Sequence, residues 1–237
     1  MRYSLRAFAK IVSAAALATA TLSSAHAGVY VYNFAGNNNS NSYGTPGNTI
    51  SSTATSGTTS VSMIASAWST ISGNTVASWL GNYPEGLGVK NAAGDQNSVD
   101  NFAGVDFVLL QFSRPVSLTS AFVTSKGYPA FGQPVKDADF IASFGNTSAT
   151  LAGSIVSTVA PNFTGLRAIA TGGETGKFWA ITAGGTDRTW DSFKIGQITA
   201  TAVPEPATWA LMILGMGAIG VALRSRRAKA AKVSYAF

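Results

Sequence analysis

The sequence predicts an all-β sandwich or barrel for most of its 237 residues, and three observations carry that prediction. Only 11% of residues are charged, while Gly, Ser, Thr, Ala and Val are abundant, the composition of short strands joined by tight turns. The apolar runs are of strand length and are separated by Gly, Pro and Asn rather than linked by helical periodicity. One run, Val105 to Phe112, is apolar on both faces, as a central strand covered on both sides would be.

Taken in order, the chain opens with Arg2, Arg6 and Lys10, then the apolar and small-residue run Ile11 to Leu22, then Ala25-His26-Ala27. This is the order of a signal peptide over residues 1–27, cut between Ala27 and Gly28. Val29 to Phe34 is dense in β-branched and aromatic residues and reads as the first strand of an exported domain covering residues 28–203. Residues 36–60 are almost entirely Asn, Ser, Thr and Gly; they bury too little to offset their ordering entropy and read as a long exposed low-complexity loop. From Val61 to Leu80 two faces compete: Val61, Ile64, Ala65 and Trp68 fit a helix, and Val61, Met63, Ala65 and Ala67 fit a strand, with a break at Gly73-Asn74.

Gly86-Leu87-Gly88-Val89, then Gly94 to Asn101, lead into the Val105–Phe112 strand. Arg114-Pro115 reads as a turn, after which Val116, Leu118 and Phe122 alternate with polar or small residues. Further strands are expected at Ala138–Phe144, Leu151–Val159, Leu166–Ala170 and Phe178–Ala183. Ser192–Ala202 closes the domain, and Phe193, Ile195, Ile198 and Ala200 share one face if Gly196 is a bulge.

The C-terminal stretch is of another kind. Ala207 to Leu223 contains no charge, and its seventeen residues make roughly 25 Å of helix, the short end of a bilayer span. Trp209 stands at the near end. Arg224, Arg226, Arg227, Lys229 and Lys232 follow, which by the positive-inside rule keeps the end of the chain, a basic tail at 228–237, in the cytoplasm. A single transmembrane helix is therefore expected within 204–227.

Charge and missing residue types exclude much chemistry. The net charge of +6 comes from the two ends, because residues 28–203 hold eight basic and nine acidic groups. A clustered basic footprint for nucleic acid is absent. There is no cysteine, and His26 is the one histidine, so past Ala27 no Ser-His-Asp or Cys-His mechanism and no imidazole or thiolate metal site can be built. Paired carboxylates remain formally able to hydrolyse glycosides, but the expectation is a non-catalytic protein.

Two sets of residues are candidates for binding. Asp95, Asp100, Asn101, Asp106, Asp137 and Asp139 offer hard oxygen ligands suited to a structural Ca²⁺, although Asp at turns also bonds its own backbone without any ion. Trp68, Trp79, Trp179 and Trp190, with Tyr83 and Tyr128, could supply a sugar-stacking platform; Trp68 and Trp179 lie in apolar runs and read as core, leaving Trp190 in its polar loop as the glycan candidate. Asn38, Asn146 and Asn162 complete N-x-S/T patterns of little weight in a bacterial chain.

The C-terminal residues resemble the PEP-CTERM sorting signal in its PEPxxWA form: Pro204, Glu205, Pro206, Trp209 and Ala210 fill its defined positions, followed by the apolar helix and the Arg224, Arg226 and Arg227 cluster. The resemblance implies a Gram-negative exported protein, recognised at the inner membrane by an exosortase, a cysteine-dependent transpeptidase-like enzyme, and cut there. The chain would be the substrate. Signal peptidase and the export machinery are the further partners implied. From Tyr30 to Val203 the order GLGV, GD, VDN, DFVLLQF, PVSL, with Ala65 to Ser69 upstream, resembles a recurrent body of such proteins with a jelly-roll-like β-sandwich fold; where that pattern often carries a histidine before VDN, this chain has Asn97-Ser98. The expected role is display or secretion among exopolysaccharide, with a carbohydrate-binding module delivered by the same route as the alternative.

Overall fold

A computed structural model describes residues 27–36, 44–92, 95–102, 104–126, 137–145, 155–159, 164–184, 190–202 and 206–230. Residues 1–26, where a signal peptide is expected, and the sequons at Asn38, Asn146 and Asn162 lie outside these. Gly28–Val203 forms one compact unit, and its described elements are all strands: β1 (Gly28–Asn33), β2 (Thr49–Ser56), β3 (Thr59–Ile71), β4 (Asn74–Tyr83), β5 (Gly86–Lys90), β6 (Val99–Asp100), β7 (Val105–Ser125), β8 (Phe140–Gly145), β9 (Ile155–Val159), β10 (Gly165–Ala168), β11 (Gly176–Ala183) and β12 (Ser192–Ala202). The all-β expectation holds.

The strands form one hydrogen-bonded sheet in the order β1-β12-β5-β4-β3-β7-β11-β8-β9, with β2 on β3, β6 on β12 and β10 on β7. A further β12–β7 pairing joins two distant points of that path and closes a circuit through β12, β5, β4, β3 and β7. Inside lies one core, to which β3 gives Val61, Met63, Ala65 and Ala67, β7 gives Val108, Leu110, Phe112, Val116, Leu118, Ala121 and Val123, and β12 gives Phe193, Ile195, Ile198 and Ala200.

Strand periodicity wins over helical periodicity at 61–80: Val61, Met63, Ala65 and Ala67 are fully buried while Ile64 is 42% exposed. The break falls as expected, with Ser72 and Gly73 both at positive φ between β3 and β4. Residues 36–60, in contrast, are not one long loop; 37–43 lie outside the described residues, and the second half is strand. From Thr49 they form β2, which pairs along its whole length with β3 through a turn at Gly57. The entropy argument missed that a hairpin needs only one buried face. Ala54 is buried and Ile50 packs on the core, while the wet face carries hydroxyl ladders, Thr53 to Ser62 at 3.0 Å and Thr55 to Ser60 at 2.9 Å.

β7 corrects a second expectation, because no turn occurs at Arg114-Pro115 and the strand runs unbroken for 21 residues. Its first half pairs with β3 and β11 and its second half with β12 and β10. Pro115 sits where partners change, in a stretch after Phe112 that has no β3 or β12 partner, and where the β11 register also slips. A residue without an N–H costs nothing in such a place. The apolar second face of this strand finds only a small satellite cluster, in which Leu109 and Ala180 pack with Trp68, Phe107 and Phe178. The bulge expected at Gly196 is present: the β12–β7 register shifts between Ile195 and Gln197, and Phe193, Ile195, Ile198 and Ala200 all face the core.

Separately from this unit, residues Pro206–Ala230 form helix α1. Its described apolar side chains are exposed, among them Leu214 and Val221 at more than 70%. Among the described residues no helix is long and apolar enough to cross a membrane. The expected transmembrane helix is thus met as a helix but not shown as a span.

Candidate functional site

Of the acidic-cluster residues that the sequence singles out, Asp100, Asp106, Asp137 and Asp139 are buried, and Asp95 and Asn101 are half-buried. In β3 the alternation that turns Val61, Met63, Ala65 and Ala67 inward also turns Ser69 inward, and in β7 the phase of Val108, Leu110 and Phe112 does the same for Asp106. Asp106 and Ser69 are cross-strand partners. Ser69 donates to Asp106 Oδ1 at 2.5 Å and lies 2.6 Å from Ser78 Oγ. Asn91, just beyond β5, donates through Nδ2 to the same Asp106 Oδ1 at 3.2 Å, and its backbone N–H donates to Asp95 Oδ2 at 2.9 Å. Asp100, on β6, accepts from the Phe102 N–H through Oδ1 at 3.1 Å. Asp100 and Asp106 have no exposed surface. Burial, with the charge of Asp95 adding, pushes Asp100 up to about 7; burial, with the charges of Asp100 and Asp95 adding, pushes Asp106 up to about 8.

Two glycines of β5 allow close approaches here, Gly88 to the segment that follows and Gly86 to β12. A Cβ on Gly88 would penetrate the carbonyl of Asn97, and one on Gly86 the carbonyl of Ile195. Lys194 donates to the Asn97 carbonyl and lies 3.7 Å from the Tyr83 ring centroid; its burial lowers its pKa to about 8. Lys126 and Glu85 pair at the nearby surface.

Asp137 and Asp139 do not join the other three candidate acids. They meet Asp191, with one oxygen from each of the three buried carboxylates within 4.8 Å of the others, an arrangement able to hold a metal ion. Asp191 is the residue that sequence reasoning missed. It follows Trp190 in a loop read only for its aromatic, and no spacing ties it to residues fifty positions earlier. Its carboxylate also accepts from the Asp139 N–H at 2.9 Å and from Asn101 Nδ2 at 2.8 Å, while its own N–H donates to Asn101 Oδ1 at 3.0 Å. Asn101 therefore serves this second group rather than the first.

That double bond between Asn101 and Asp191 brings their neighbours together on the surface. Phe102 and Trp190, 40% and 38% exposed, pack edge to face with centroids 4.3 Å apart. The other aromatics form no platform: Trp79 and Tyr83 are buried against each other, Trp179 is core, Trp68 belongs to the satellite cluster, and Tyr128 lies outside the described residues.

Of the sorting residues, Pro206, Trp209, Ala210, Arg224, Arg226 and Arg227 lie on α1, and Pro204 and Glu205 lie outside the described residues. Of the cleavage residues, Ala25 is outside them, Ala27 is exposed, and Gly28 is already the first residue of β1, paired with Ala202. An all-β unit is thus followed in the chain by a proline-led helix with exposed apolar side chains and a basic end. The PEP-CTERM protein-sorting motif matches residues 202–227. The chain carries that motif, and its role as an exosortase substrate follows from it. No curated protein matches the chain.

Proposed function

We propose that this is a non-catalytic protein of the Gram-negative cell surface or extracellular matrix, exported with a cleaved leader and held briefly in the inner membrane by its tail. An exosortase then releases or transfers it among exopolysaccharide. The observation that carries this reading is the sorting motif at 202–227. Before processing, α1 would anchor the chain through its uncharged stretch, with Arg224, Arg226 and Arg227 on the cytoplasmic side; the exposed apolar side chains of α1 support this. The near-neutral body without His or Cys supports a structural role, and a sandwich-type β body suits display.

Mass spectrometry of the protein from cells and from medium tests the reading. The expected mature form begins at Gly28 and lacks the Arg224–Arg227 end, and a Pro204→Ala/Glu205→Ala variant keeps that end and stays with the membrane. An intact basic end on the wild-type protein in the medium would exclude processing.

A second reading, a carbohydrate-binding module on the same route, is favoured by the Phe102–Trp190 pair. Stacking on a sugar ring is worth about 1–2 kcal/mol, by analogy with aromatic pairs. Trp190→Ala should therefore weaken retention on purified exopolysaccharide about tenfold in a pull-down; retention that is undiminished removes this pair from any glycan site.

A further inference from the structure

We propose that Asp100 and Asp106, together with the amide oxygen of Asn91, bind a Ca²⁺ ion that pins Asn91 and the 95–101 stretch to the end of the core. Each of these side chains has one oxygen engaged or one donor spent, and one buried oxygen left over. Asp106 Oδ1 takes both Ser69 and Asn91 while its Oδ2 accepts nothing. Asp100 Oδ1 caps the Phe102 N–H while its Oδ2 accepts nothing. Asn91 spends its amide and backbone N–H groups on Asp106 and Asp95, and its Oδ1 is left without a donor. Ser192 stands directly across from Asp100 in the β6–β12 register, is 1% exposed, and its Oγ is also without a partner. Cross-strand partners project to the same side of a sheet, so this hydroxyl belongs to the same neighbourhood.

Asp95 plays a different part. Its Oδ1 accepts from the Gln96 N–H at 2.6 Å and its Oδ2 from Asn91, so it positions Asn91 and adds negative charge. The charges acting on Asp106 are those of Asp100 and Asp95; Lys194 acts on Asp100 but is committed to the Asn97 carbonyl and the Tyr83 ring. Desolvated oxygens that lack donors, on two carboxylates where the charge of one acts on the other, are what a hard cation neutralises. The donor set is all oxygen, with no nitrogen or sulfur, which suits Ca²⁺ and excludes the softer transition metals. The ion is distinct from anything held by Asp137, Asp139 and Asp191, whose carboxylates face one another.

The test uses the full chain in detergent, freed of metal with EDTA and dialysed. Unfolding is followed by near-ultraviolet circular dichroism without and with 1 mM CaCl₂, and Tb³⁺ luminescence is titrated in parallel. Calcium should raise Tm by about 5 °C or more, Tb³⁺ should bind saturably and be displaced by Ca²⁺, and Asp106→Asn and Asp100→Asn should each abolish both signals. Should either variant fail to fold, displacement of Tb³⁺ from the wild-type chain, and its loss in the milder Asn91→Ala, decide the matter. The proposal is overturned if Ca²⁺ neither shifts Tm nor displaces Tb³⁺, or if Asp191→Asn removes the effect while Asp106→Asn keeps it.

Discussion

Trp179→Ala should lower the stability of the β body by about 3–5 kcal/mol, the range for deleting a large buried aromatic, and in most backgrounds should leave it unfolded at 37 °C. Trp179 is fully buried in β11, and its ring packs 5.4 Å from that of Phe144 on β8. Its indole N–H is shared between the carbonyls of Val116 at 3.0 Å and Gly176 at 3.2 Å. Those two residues are cross-strand partners at the edge of the place where the β7–β11 register slips, so the indole ties the two strands together beside the irregularity. Truncation leaves a cavity and removes the one donor that the two carbonyls share. Trp179→Phe, which keeps most of the volume and loses only the donor, should cost less than half as much. Urea denaturation followed by fluorescence and far-ultraviolet circular dichroism separates the two; equal losses would show that the lost donor, and not the cavity, carries the whole effect.

Gly86→Ala should cost about 2–5 kcal/mol, from strain at a disfavoured φ together with overpacking. Gly86 sits at φ 125, and a Cβ there collides with the Ile195 carbonyl and the Gly196 nitrogen, which are backbone atoms that cannot swing aside. The affected contact is the thinnest seam of the closed circuit, since β5 meets β12 through the single pair Leu87–Ile195. A methyl group should therefore part β5 from β12 and raise hydrogen exchange along β5 before the rest of the body opens. Gly57→Ala is the matched comparison: it too is at positive φ, but nothing lies within 4 Å, so it should cost only the backbone strain. Equal effects at the two positions would contradict the seam argument.

Much of the architecture was legible because period-two burial leaves a direct trace. Val29–Phe34 and Ser192–Ala202 were readable to within a residue, and Gly196 announced its bulge by an otherwise broken alternation. What stayed hidden has identifiable causes. Thr49–Ser56 looked like loop because composition measures both faces together, whereas a strand needs only Ala54 and Ile50 on one of them. Pro115 looked like a turn because proline is usually punctuation; that it marks a change of partners depends on β3, β11 and β12, which local sequence does not specify. The acidic candidates stand out in the sequence, but one dimension cannot sort them. Asp137 and Asp139 pair off with Asp191, and Asp95, Asp100 and Asp106 form their own group, because β6 and β8 approach β12 from separate parts of the chain. The sorting segment was the most readable part of all, since its information lies in linear order and needs no fold.

The pairing of Gly28 with Ala202 has a mechanical meaning. Both ends of the body leave from the same rung of the β1–β12 ladder, which runs from that rung to Asn33–Gln197. A pull applied across the two ends therefore meets the rungs one at a time, as in opening a zipper, and does not load them together in shear. While the chain is held at both ends, β1 is the element that yields first and at low force. With a grip at one end alone, tension has no second hold at that rung, and the remaining strands carry the load.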